Sequence, residues 1–185
     1  MLSTSSNRRD FIAGLTFVLA GCEKRMTPAQ ARAAEVPFRT LEPATVAVLD
    51  ALGETLLPGS SAAGLAHYID HQLSGAPADS MLMIKYLGVP APFNEFYQAG
   101  LRASDAVARA AHGKAFPSLS KEQAGGLVGK MSAGQVEGWQ GPPAGLFYFV
   151  LRSDAIDVVY GTQAGFEQLG VPYMAHIEPP SRWGE

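Results

Sequence analysis

Residues 43–59 read PATVAVLDALGETLLPG, and this stretch decides how the rest of the chain is read. Val46, Leu49, Leu52 and Leu56 recur at spacings of three and four, which places them on one face of a helix. Pro43 suits the first helical turn, where a missing N–H costs nothing, and Leu57-Pro58-Gly59-Ser60-Ser61 stops the helix.

The same grammar extends toward the C-terminus. A helix is predicted over about 62–74, with Leu65, Ile69 and Leu73 four apart, until Gly75-Ala76-Pro77 breaks it. Residues 80–87, SMLMIKYL, read as a short helical turn or packed apolar segment, and Val89-Pro90-Ala91-Pro92 redirects the chain. A long helix over about 93–112 carries Phe96, Ala99, Leu101, Ala103, Val107 and Ala110, and Gly113 is a good stop. Ser120-Lys121-Glu122-Gln123 fits a capping box, opening a helix weakened by Gly125, Gly126 and Gly129. A surface loop spans Gly134 to Pro143. Ala144 to Asp157 reads as a packed helix bearing Phe147, Phe149, Val150, Leu151 and Ile156. After Tyr160 the chain becomes a tail of Gly, Pro and aromatics. No alternating strand pairs and no repeat are visible. The expected fold is all-α, an irregular multi-helix domain with an extended C-terminal tail.

Toward the N-terminus, residues 23–39 read as a tether with a short helix opened by Thr27-Pro28. Before it, Arg8 and Arg9 precede Asp10-Phe11-Ile12, a spacing that resembles the twin-arginine export signal. The apolar run from Phe11 to Ala20 is broken by Gly14 and Thr16, too short and diluted for the roughly 20 apolar residues of a membrane-spanning helix. An ordinary secretory signal with a chance arginine pair is the alternative. Leu19-Ala20-Gly21-Cys22 resembles a lipoprotein box, with Cys22 acylated after cleavage before it. The competing cleavage site is Ala31-Arg32-Ala33. The expected division is therefore a leader at 1–22, a tether at 23–39 and a helical domain at 40–185, with a docking tail from about 158.

Composition narrows the function. In 185 residues, 47% are hydrophobic and 17% charged, enough for one well-cored domain, and the net charge of -3 with dispersed basic residues argues against nucleic acid. Cys22 is the single cysteine, so no intrachain disulfide, cysteine metal site or c-type haem motif can be built. His67 and His71, four apart in HYIDH, have metal-ligand spacing, but Tyr68 stands where a metalloprotease motif needs Glu. A hydrogen-bonded pair is the other reading. Asp50, Glu54 and Asp70 share only helix spacing and read as a solvated face. Ser60-Ser61 lacks a nucleophile elbow, and Gly161, Gly165 and Gly170 form no dinucleotide turn. The aromatic tail cannot make a core of its own. Tyr160, Phe166, Tyr173, Met174, Ile177 and Trp183 are therefore expected to dock, on this domain or on a partner.

Four blocks, FRTLEPATVAVLDALGETLLPG with AAGLAHYIDHQL, IKYLGVPAPFNEFYQAGLRASDAVA, AFPSLSKEQ, and VVYGTQAGFEQLGVPYMAHIEPPSRW, together resemble the gluconate 2-dehydrogenase subunit 3 family over about residues 36–185. Relatives often carry Tyr-Gly-Gly-Asn where this chain has Tyr160-Gly161-Thr162-Gln163, which leaves the substrate open. The resemblance implies a non-catalytic small subunit of a sugar or polyol dehydrogenase. It implies a large FAD flavoprotein partner of the glucose–methanol–choline type and a c-type cytochrome as electron acceptor. No cofactor is expected in this chain itself. Taken with the leader, which suits folded cargo, it implies an escort and stabiliser that carries the flavoprotein through the twin-arginine translocase. In that reading Arg8, Arg9 and Phe11 direct export, Cys22 anchors the assembly at the periplasmic face of the inner membrane, and the tail aromatics dock. A free-standing periplasmic lipoprotein and a small metalloenzyme using His67 and His71 are the alternatives.

Overall fold

Leu15–Leu19 and Cys22–Met26 form antiparallel strands β1 and β2, where the leader and the start of a tether were expected. The sequence LTFVL is rich in β-branched and aromatic residues, and its alternation sends Leu15 and Phe17 inward while Thr16 faces water. The register pairs Leu15 with Met26 and Leu19 with Cys22. Gly21 takes a φ of 78°, the left-handed backbone that a tight hairpin turn needs. The run is short and lies in the apolar part of the expected signal, so its alternation does not stand out in the sequence. The computed structural model describes residues 15–19 and 21–171.

Among the described residues eight α-helices follow: α1 Pro28–Ala33, α2 Pro43–Leu56, α3 Leu65–Ser74, α4 Met83–Tyr86, α5 Asn94–His112, α6 Lys121–Ser132, α7 Ala144–Tyr160 and α8 Gln163–Gln168. The fold is mostly helical, as expected. Local chemistry explains the boundaries. Thr27 and Gln30 close a capping box at α1, and Ser120 and Gln123 close the expected one at α6. Gly113, at φ 66°, caps α5 with its N–H on the Arg109 carbonyl.

Two helices organise the core. α2 touches α3, α5, α6 and α7, and α7 touches all of these and also α4 and α8. Leu49, Leu52, Ile69, Leu101, Phe147, Val150 and Leu151 are essentially inaccessible. The close fit of α5 and α7 depends on Gly100, since a Cβ there would lie 2.3 Å from the Phe147 ring.

Several expectations need correction. α3 starts at Leu65 rather than 62, because Gly64 has a φ of 85° and α1 crosses directly over it, leaving no space for a side chain. The buried face of α5 is Tyr97, Gly100, Leu101, Ala103, Ser104, Val107 and Ala108, which includes the expected Leu101, Ala103 and Val107. Phe96 and Ala99 are half-buried and Ala110 is exposed, because the face is rotated from the one that apolarity alone selects. Phe149 is 47% exposed rather than packed. The final packed helix runs on to Tyr160, and the expected tail begins with a further helix, α8, capped by Thr162 through the Gly165 N–H.

Candidate functional site

Three polar constellations and one apolar edge carry the candidate chemistry. Asp70, on α3, is not on a solvated face. It is 5% exposed and accepts the backbone N–H groups of Arg39, Thr40 and Leu41, each at 2.8 Å. A carboxylate is a strong acceptor for adjacent backbone donors, so Asp70 pins the chain entering α2 onto α3. Asp50 and Glu54 do stay together. Asp50 pairs with Arg32 at 2.9 Å, and Glu54 accepts the Gly59 N–H. Both line an open hollow of about 490 Å³ with Arg32, Ala47, Ala51, Ser61 and Ala62.

The second constellation joins residues far apart in the sequence. Asp154, on α7, is wholly buried. Its Oδ2 accepts the Tyr97 hydroxyl at 2.6 Å and its Oδ1 accepts the Met83 N–H at 2.8 Å, joining α4, α5 and α7 at one point. Burial pushes the Asp154 carboxyl up to about 7, against the downward pull of its two hydrogen-bond donors. The same burial raises Tyr97 well above a normal phenol, with the Asp154 charge adding to it. One signal was available: Asp154 sits within the apolar stripe of Val150, Leu151, Ala155 and Val158. Its partner Tyr97, 57 residues away, had none.

His67 and His71 form the third. They share a helix face but each directs Nε2 to a backbone carbonyl, His67 to Val36 at 3.1 Å and His71 to Thr16 at 3.0 Å. Their Nδ1 atoms are buried without a partner among the described residues. Burial lowers both pKa values, against the raising effect of those carbonyls, which keeps the rings neutral near pH 7. Phe17 of β1 meets both rings, edge-on to His67 at 6.5 Å and tilted against His71 at 5.0 Å between centroids, and Phe38 packs at a tilt on His67 at 4.5 Å. No group of three or more His, Cys, Asp or Glu is placed to hold a metal among the described residues.

The apolar edge lies on α7 and beyond. Phe149, Ile156 and Tyr160 recur at spacings of seven and four on one face of α7. Phe149 is 47% exposed, and Ile156 and Tyr160 are half-buried. α8 packs on α7 and leads to Leu169 and Val171, 54% and 48% exposed, with Phe166 half-buried within it. Tyr86 and Leu87, at the end of α4, are also exposed, and α4 packs on α7 too. Of the expected docking residues, only Tyr160 and Phe166 fall here. Tyr173, Met174, Ile177 and Trp183 lie outside the described residues, as do Arg8, Arg9 and Phe11 of the leader. Cys22 opens β2 with an exposed, free thiol. No helix among the described residues is long and apolar enough to cross a membrane.

A family model described as Gluconate 2-dehydrogenase subunit 3 matches residues 43–177, from the first turn of α2 to beyond α8. No curated protein and no solved structure matches the chain.

Proposed function

Because this chain belongs to the gluconate 2-dehydrogenase subunit 3 family, we propose that it is the non-catalytic small subunit of a periplasmic sugar or polyol dehydrogenase complex. The catalytic partner would be a large FAD flavoprotein of the glucose–methanol–choline type, and a c-type cytochrome would take its electrons. The observation that carries the subunit reading is the exposure of large apolar side chains, Phe149 on α7 and Leu169 and Val171 after α8, with half-buried Ile156 and Tyr160 on the same face of α7 as Phe149. Large apolar side chains left facing water suit an interface whose energy is concentrated in a few anchors. The most demanding carboxylates of the fold, Asp70 and Asp154, are committed to backbone and tyrosine donors, which suits a structural body.

In this proposal the chain also escorts its partner. Arg8, Arg9 and Phe11 route the folded pair through the twin-arginine translocase, and Cys22 receives the lipid that holds the assembly at the inner membrane. The exposed thiol of Cys22 is compatible with such a modification. The test is a pull-down of the tagged full chain from the membrane fraction, read by mass spectrometry and a visible spectrum. A large partner with flavin absorption is expected, and Arg8→Lys with Arg9→Lys should leave both chains in the cytoplasm. A lone, colourless chain, under conditions where a control complex survives, overturns the subunit reading in favour of a free-standing lipoprotein.

A further inference from the structure

The hairpin of β1 and β2 is not a free leader end. Leu15, Phe17 and Met26 are 5%, 6% and 5% exposed and join the core cluster of the helical domain. The contact is specific as well as apolar. His71 donates from Nε2 to the Thr16 carbonyl, and its ring faces Phe17 at 5.0 Å. His67 and Phe38 continue the same aromatic wall. Thr16 and Cys22–Arg25 remain on the outer side, facing water. An extended segment that alternates apolar and polar residues thus sits with its apolar side against a wall that also offers a donor to its backbone. Such a combination selects strand conformation and register, beyond greasy contact.

We propose that this wall is a binding cleft for the apolar part of the chain's own leader, and that docking withholds Leu15 and Phe17 from the export machinery until the hairpin lifts. The withholding rests on the export reading above; the cleft and its occupant rest on the contacts alone. Lifting breaks the His71–Thr16 hydrogen bond and uncovers Phe17, so a change on the domain side is enough to shift the balance. His71→Ala does this without altering the leader.

The first test is hydrogen–deuterium exchange on the full chain. Amides of 15–19 and 22–26 should exchange at least about a hundredfold slower than in a free peptide. His71→Ala should remove most of that protection while the amides of α2 and α7 keep theirs. Thr16→Pro, at an exposed position, should do the same by breaking the strand, and covers the case in which His71→Ala disturbs α3. Coil-like exchange of the hairpin in the unaltered chain overturns the cleft. So does protection that both variants leave intact, and so does protection that disappears on dilution, which would assign the occupant to a second copy. The second test is pulse-chase export, where His71→Ala should leave the cytoplasm several-fold faster than the unaltered chain. An equal or slower rate overturns the withholding. Export that does not respond to Arg8→Lys with Arg9→Lys identifies failure of the twin-arginine route itself, and the withholding falls with it.

Discussion

Asp154 shows how one residue can set a pH dependence for the whole fold. Its folded pKa is raised by burial from 3.8 to about 7, so the folded state holds a proton that the unfolded chain gives up. Its contribution to stability is therefore complete below about pH 4 and declines as pH rises through 7, by about 4 kcal/mol at most. Asp154→Asn retains an acceptor for Met83 and offers a donor to the Tyr97 oxygen. Urea melts across this range should show that slope flattened in the variant. Asp154→Ala strands two buried donors and should cost about 3 kcal/mol below pH 4, where Asp154 contributes most, and less as pH rises toward 7. Asp70→Ala leaves three backbone N–H groups without their acceptor, and a loss of about 2 to 4 kcal/mol in the same melts is expected. The role of Asp70 was not legible, and of Asp154 only its place within an apolar stripe was. Asp70 reads as solvated in the sequence because its three donors lie some 30 residues earlier, and nothing in HYIDH points to them.

Elements differ in how much of their stability is local. α6 was expected to be marginal, and its Gly125, Gly126 and Gly129 have only open space where a Cβ would stand. Gly126→Ala should raise stability by about 0.5 to 1 kcal/mol, while Ser120→Ala should lower it by about 1 kcal/mol through loss of the capping box, both measurable as shifts in thermal midpoint. Gly100 in α5 looks similar in sequence and behaves oppositely. Its Cβ would enter the Phe147 ring, so Gly100→Ala should cost about 1 to 3 kcal/mol, and pairing it with Phe147→Leu should recover part of that loss. The hairpin is a second pH-sensitive element, with the opposite sign to Asp154. His67 and His71 have pKa values lowered by burial, so the docked state prefers neutral rings. Arg32, Asp50 and Asp70 act on His67, and Arg39 and Asp70 on His71. Docking is fully favoured above about 6.5 and weakens as pH falls below it. Exchange protection of residues 15–26 should therefore fade between pH 7 and 5 before that of α2.

At the scale of the molecule, the functional question is which surface meets a partner. Phe149→Asp alters an exposed side chain on the apolar edge and should leave the melting temperature within a few degrees of the unaltered chain. In the pull-down it should reduce capture of the large flavin-bearing chain at least about tenfold, as loss of a central anchor does. Normal capture would move the interface elsewhere on the molecule. The sequence placed its docking residues on Tyr160, Phe166 and beyond. Phe149, exposed on α7, escaped that reading because apolarity alone makes it look like core, while Leu169 falls within the expected docking tail.

What the sequence determined by itself was local. Capping boxes, N1 prolines and terminal glycines act within a turn or two, so α2, α5 and α6 were readable almost to the residue. The family was readable too, because it resides in the order of four such blocks. The tertiary structure alone decided which way each face turned and what each buried polar group met. Apolarity gives a helix two or three candidate faces, and packing around Gly100 and Phe147 selects one. A carboxylate's partner can lie 57 residues away, as Tyr97 does from Asp154, and no spacing rule encodes that distance. The hairpin belongs to the same class: LTFVL carries strand propensity, but only the wall of Phe38, His67 and His71 gives its inner side a surface to bury.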